Sequence, residues 1–247
     1  MIDFFRVVLY EPLYNGLVFL LGTVPLGDLG VAIILLTLFV RLVLFPVSHK
    51  STKTQAKMRT IDPEVKKIKE QYKSDKQEQA KKTMELYQKH GVNPFSGCIL
   101  LLIQLPVIIS LYFVFFKGLA NGLDKDLLYS FVKVPESYNL LFLGFIDLLG
   151  KSFLLAAGAG ISQYFQMKLS MPKLETKISS AGGVSFKDDL AKSFNLQMRY
   201  GLPIFVSIIS YTISAAVALY WTTSNLFSIG HELYVRKKAE QILEKNA

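Results

Sequence analysis

VAIILLTLFVRLVLFPV, residues 31–47, is an apolar run long enough for a membrane helix and carries a single charge, Arg41. A helix needs roughly 17 to 25 apolar residues to cross a bilayer. An arginine near the middle of such a helix costs about 2.5 to 3.5 kcal/mol on insertion scales, and it nearly always faces protein or water rather than lipid. The rest of the chain decides whether this run is a span or a core helix.

Three further runs answer that question. Cys98–Phe116 (CILLLIQLPVIISLYFVFF) has no charge at all, Ser152–Met167 lies between Lys151 and Lys168, and Tyr200–Gly230 is uncharged for 31 residues. Apolar residues gathered in blocks, with 51% hydrophobic residues and a mean hydropathy of +0.34, exceed what a soluble surface tolerates.

Cytoplasmic loops carry the excess of Lys and Arg. Residues 48–97 hold 12 such residues and residues 168–199 hold 6, whereas residues 117–151 hold 4 against 4 acids. The first two segments are therefore expected inside and the third outside. A single span over 200–235 would leave Arg236, Lys237 and Lys238 outside, so two spans turning near Ser214–Ala216 are expected.

The expected fold is all-α and polytopic: five transmembrane helices, a cytoplasmic helical hairpin and an N-terminal interfacial helix. In order, the segments are 1–29 outer interfacial helix and lead-in, 30–47 first span, 48–94 hairpin, 95–117 second span and 118–150 outer loop. Then come 151–168 third span, 169–197 cytoplasmic loop, 198–213 fourth span, 216–235 fifth span and 236–247 cytoplasmic tail. The N-terminus is expected outside and the C-terminus in the cytoplasm. Residues 4–21 are interrupted by Arg6, Glu11, Pro12 and Gly16, which favours a helix lying along the outer surface. No basic lead followed by a small-residue cleavage site is seen, so no cleavable signal peptide is expected.

In the hairpin, Val65, Ile68 and Tyr72 recur at helical spacing, as do Ala80, Met84 and Tyr87. These two stripes predict a pair of helices zipped together, with Lys73–Lys76 as the turn, Asp62 as an N-cap before Pro63, and Gly91 as the stop.

The chemistry of ordinary enzymes is missing. The chain has no GxSxG elbow, no HExxH and no glycine-rich phosphate loop, and its three histidines, His49, His90 and His231, sit at no metal-ligand spacing. Cys98 is the only cysteine. No cofactor and no enzymatic activity are expected. The net charge of +9 reads as an orientation signal and an attraction to anionic lipid, with no direct nucleic-acid specificity.

None of the apolar runs supplies an Asp or Glu for Arg41. The intramembrane polar groups available to surround it are Gln104, Gln163, Gln166, Thr222, Thr223, Ser224 and Asn225, each of which also suits plain interhelical hydrogen bonding. Together they predict a hydrated cationic groove. Sixteen helical residues rise only about 24 Å against about 30 Å of hydrocarbon, so the short third span also favours local bilayer thinning.

LTLFVRLVLFPVSHKSTKTQAKM from Leu36, GVNPFSGCILLLIQLPVIISLYF from Gly91 and ALYWTTSNLFSIGHE from Ala218 together resemble the YidC-type membrane protein insertases, in order and spacing over about residues 30–235. The resemblance implies a five-helix core of the bacterial plasma membrane with a groove closed to the outside. It assigns the groove arginine to Arg41, a glutamine to Gln166 in SQYFQMK, and an aromatic to Trp221. Clients would be nascent membrane proteins, handled alone or beside the Sec translocon, with ribosome or signal recognition particle receptor as further partners. The chain departs from the family's pattern at Leu100, where proline is common, and at the turn Ser214–Ala216. Two other classes remain compatible with the residues themselves: an anion or solute transporter that binds at Arg41, and a non-translocating membrane scaffold.

Overall fold

A computed structural model describes residues 2–93, 96–116, 122–171, 193 and 195–245, and the chain is mostly helical over them. Helices α1 (Ile2–Phe5) and α2 (Glu11–Thr23) flank a π-helical stretch, Arg6–Tyr10. They are followed by α3 (Leu29–Val43), α4 (Phe45–Thr60), α5 (Asp62–Gln71) and α6 (Lys76–Lys89). Then come α7 (Ser96–Phe116), a two-stranded antiparallel ribbon of β1 (Leu141–Phe142) and β2 (Ile146–Asp147), and α8 (Phe153–Ser170). Helices α9 (Leu202–Ile213) and α10 (Ala215–Lys245) complete the order. Most of the expected 169–197 loop lies outside the described residues.

Asp28 starts α3. Its Oδ1 accepts from the Gly30 and Val31 amides (2.7 and 3.1 Å), the N-cap arrangement that satisfies otherwise orphaned donors. Its Oδ2 accepts from the Leu143 amide at 2.9 Å, so one carboxylate both caps the helix and ties down the β-ribbon. A Cβ at Gly30 would lie 2.0 Å from the Phe142 ring, so only glycine admits this approach.

The first apolar run does not continue straight to Val47. Helix α3 ends at Val43, Leu44 takes φ −82° and ψ −2°, and α4 departs at 68°. Pro46 stands in the first turn of α4, where its missing N–H costs nothing. Arg41 therefore lies in the last turn of α3 rather than mid-helix. Among the described residues no single helix is long and apolar enough to cross a membrane, and the bent pair α3–α4 meets that length and composition together.

The N-terminal helix is part of the core. Leu13, Tyr14, Leu17, Val18 and Leu21 of α2 are buried with Leu29, Ala32, Ile33 and Leu36 of α3 and with Val107, Leu111 and Val114 of α7. Asn15, also buried, donates to the Leu127 carbonyl and accepts from the Tyr129 amide, which anchors the 122–150 segment over α2. The apolar face expected to meet an interface is thus turned into protein.

Helix α8 packs against both α9 and α10. At Gly160 a Cβ would fall 1.8 Å from Ser207 Oγ and 3.0 Å from the Pro203 carbonyl, so the small-residue face allows α8 and α9 to touch backbone to backbone. The α9–α10 turn is sharp: Ser214 alone is extended, and the Ala215 and Ala216 amides donate to the Gly150 and Leu148 carbonyls. Helix α10 then runs 31 residues without a break, through the expected end at 235 and into the tail.

Helices α5 and α6 form the hairpin, with Asp75 Oδ1 capping α6 by accepting from Gln77 and Glu78 (3.0 Å each). Gly91, at φ +62°, ends α6: the Gly91 amide donates to Gln88 and the Val92 amide to Tyr87, a Schellman closure. Two details differ from expectation. Asp62 is inside α5, where it pairs with Lys66 at 3.0 Å, and Ile61 occupies the cap position. Ala80 and Met84 are exposed, while Gln79 and Leu86 are buried. Gln79 Nε2 donates to the Lys69 carbonyl at 2.8 Å near the end of α5, and satisfying that orphan acceptor sets the rotation of α6.

Candidate functional site

Helices α3 and α10 begin against the same segment of chain. The Leu29 amide donates to the Asn139 carbonyl, and the Ala215 and Ala216 amides donate to Gly150 and Leu148. From these starts, at 1.5 Å per residue, Arg41 is about 18 Å along α3 and Ser224 about 14 Å along α10. The two side chains meet: Arg41 Nε donates to Ser224 Oγ at 2.9 Å, and its Nη2 donates to the same oxygen. The guanidinium thus reaches back toward the helix starts, in the direction that Cα–Cβ bonds tilt along a helix.

Ser224 is 2% exposed and Tyr220, one turn earlier on α10, is 3% exposed. Gln104 of α7 donates through its amide to the Tyr220 phenol, which also contacts Ser224 and lies beside Arg41. Arg41, Ser224, Tyr220 and Gln104 therefore form one chain of polar contacts across α3, α10 and α7. Among the described residues no carboxylate comes within ion-pair distance of Arg41.

The remaining expected residues form a second group between α8 and α10. Asn225 Nδ2 donates to Ser162 Oγ at 3.1 Å, and Gln163 Nε2 donates to Gln166 Oε1 at 3.2 Å. Thr222 and Thr223 donate back to the Ala218 and Leu219 carbonyls of their own helix, both at 2.8 Å. Trp221 packs against the large core on one side and against the Ala159, Val206 and Ala218 cluster on the other. Leu155 of α8 packs against the same two clusters.

Sequence reading missed two features. Tyr220 was not singled out, although it stands four residues before Ser224 and hence on the same helix face. Glu232, two residues past the uncharged run yet inside the expected 216–235 span, is 3% exposed. It pairs with Arg59 of α4 at 3.1 Å and with Arg236 at 3.2 Å, and Arg236 also donates to the Leu169 carbonyl at the end of α8. His49 and His231, 182 positions apart, meet at 3.0 Å from Nδ1 to Nε2 and stack with Phe45. Among the described residues no group of three or more potential metal ligands occurs.

The described residues thus form a mostly helical bundle around a half-buried arginine supported by neutral polar groups. The chain belongs to the 60Kd inner membrane protein family, whose model matches residues 21–242. It is 34% identical over 219 residues to a protein of Clostridium tetani named membrane protein insertase YidC, covering 89% of this chain and 86% of that one. A protein of the same name from Fusobacterium nucleatum is 30% identical over 235 residues, covering 93% of this chain and 98% of the relative. A third, from Francisella tularensis subsp. novicida, is 30% identical over 211 residues that make up 33% of its own length.

Proposed function

We propose that the chain is a membrane protein insertase of the bacterial inner membrane, acting through a cationic groove and without a cofactor. The observation that carries this reading is the state of Arg41: a half-buried guanidinium held by a serine hydroxyl, with no carboxylate within ion-pair distance among the described residues. A cation in low dielectric that is hydrogen-bonded but not neutralised attracts an anionic group more strongly than one in water. The hydrophilic, often acidic, outer portion of a client would be drawn to it while the client's apolar segment moves past Trp221 and Gln166 into lipid.

In this reading α3, α7, α8, α9 and the first two-thirds of α10 are the five spans. The 122–150 segment lies outside, and the α5–α6 hairpin and the end of α10 lie in the cytoplasm. Helix α8, at 18 residues, rises about 27 Å against about 30 Å of hydrocarbon, which supports a thinned bilayer beside the groove. The basic hairpin would meet anionic lipid headgroups and incoming chains, with the Sec translocon, ribosome and signal recognition particle receptor as candidate partners.

The test is site-specific photo-crosslinking. Probes at Gln166 and Trp221 are expected to capture a nascent membrane protein during its insertion, while a probe at the exposed Phe131 of the outer segment is not. Solute flux with no client crosslink would favour a transporter, and capture of stable partner subunits alone would favour a scaffold.

A further inference from the structure

Ser224 has not been given a role beyond bearing a hydroxyl, yet it receives both the Nε and the Nη2 hydrogen bonds of Arg41. We propose that Ser224, backed by Tyr220 and Gln104, is the positioning residue that aims the Arg41 guanidinium while leaving its charge uncompensated. Ser224 thereby sets the preference for clients with acidic tails. The inference rests on the insertase reading and assigns the specificity of that same site.

A guanidinium has five N–H donors in a fixed fork, and two adjacent ones converge here on a single neutral oxygen. Among the described residues no partner takes the donors at Nη1 or the second hydrogen of Nη2, which leaves them for a ligand. A carboxylate at position 224 would take the same fork in a bidentate ion pair and neutralise it. An alanine would leave the long side chain without its anchor. The serine oxygen has lone pairs for two incoming hydrogen bonds and lies beside the Tyr220 phenol, whose position is fixed in turn by the Gln104 amide. Every member of this relay is uncharged apart from Arg41, and both residues on α10 are almost completely buried. Rotation of the guanidinium away from Ser224 would leave the serine lone pairs unsatisfied, a penalty that holds the cation in place.

The experiment measures insertion in reconstituted vesicles of two clients identical except for an acidic or a neutral outer tail, at matched protein level. Its readout is the ratio of acidic to neutral client inserted. Arg41→Ala serves as the reference for a lost cation. Ser224→Asp is expected to lower the ratio about tenfold, close to the reference, as an internal ion pair replaces the client's. Ser224→Ala is expected to lower it by about threefold, and Ser224→Thr, which keeps the hydroxyl, to recover it toward the wild-type value. If Arg41→Ala lowers the ratio but both Ser224→Asp and Ser224→Ala leave it at the wild-type value, the role of Ser224 is overturned and the insertase reading stands. Equal loss of both clients in the Ser224 variants also overturns it, because a packing role alone predicts that result. If Arg41→Ala leaves the ratio unchanged, the groove reading itself fails and the inference fails with it.

Discussion

Arg59 and Glu232 form an ion pair at 3.1 Å that joins α4, which leads into the hairpin, to α10. Glu232 is almost fully buried, and its second arginine, Arg236, extends the link to the C-terminal carbonyl of α8 at Leu169. Three helices are thus tied at one carboxylate. Removing it would leave two neighbouring cations without compensation. Glu232→Ala is expected to destabilise the folded protein by about 2 to 3 kcal/mol, less than for a fully buried triad because both arginines are partly exposed. Thermal unfolding in detergent checks this, and the exchange Arg59→Glu with Glu232→Arg is expected to recover part of the loss.

The α8–α9 contact leads to a second expectation. A methyl group at position 160 meets Ser207 Oγ first and the Pro203 carbonyl next. Gly160→Ala is expected to cost about 1 to 3 kcal/mol through overpacking. Adding Ser207→Ala removes the nearest clash and is expected to restore most of that stability in the same melting experiment, since the approaches that remain are 3.0 Å to the Pro203 carbonyl and 3.2 Å to the Cβ of residue 207.

Asp28 combines two jobs that a substitution separates. Asp28→Ala loses the cap on α3 and the tether to Leu143, an expected loss of about 2 kcal/mol. Limited proteolysis within 122–150 is expected to speed up in this variant. Unchanged cleavage would mean that the backbone bonds of Asn139 to Gly27 and Leu29, the Asn15 anchor and the packing on α3 suffice to hold the segment without Asp28.

Much of the fold was legible because apolar runs and charge blocks are collective signals. The runs at Val31–Val47, Cys98–Phe116, Ser152–Met167 and Tyr200–Gly230 each correspond to helices, and the turn at Ser214 falls where charge bias required one. Boundaries set by single residues were less legible. The bend at Leu44 had a signal in Pro46, because a proline has no N–H for the carbonyl four residues back and its ring crowds that carbonyl, yet the apolar run continues across it. The end of α10 at Lys245 was not legible from the span end expected at 235, because a change from apolar to basic residues marks a membrane boundary and not a helix terminus. Polar matching across elements was least legible: the Gln79 hydrogen bond to Lys69 turned α6 away from its apolar stripe, and the pairs His49–His231 and Arg59–Glu232 depend on contacts over 170 residues apart in sequence. At the site, Arg41 and its polar neighbours were identifiable by type. Which of them touch it was not, since Ser224 and Gln163 are equally plausible partners until helix rotation is known.

The most direct test is the insertion ratio of acidic-tailed to neutral-tailed clients in vesicles containing the wild-type protein or Arg41→Ala. The account predicts that Arg41→Ala lowers insertion of the acidic client about tenfold and that of the neutral client by less than about twofold, the size expected when one charge-assisted contact is lost. An acidic-to-neutral ratio for the variant that stays at the wild-type value, with matched protein level, would contradict it.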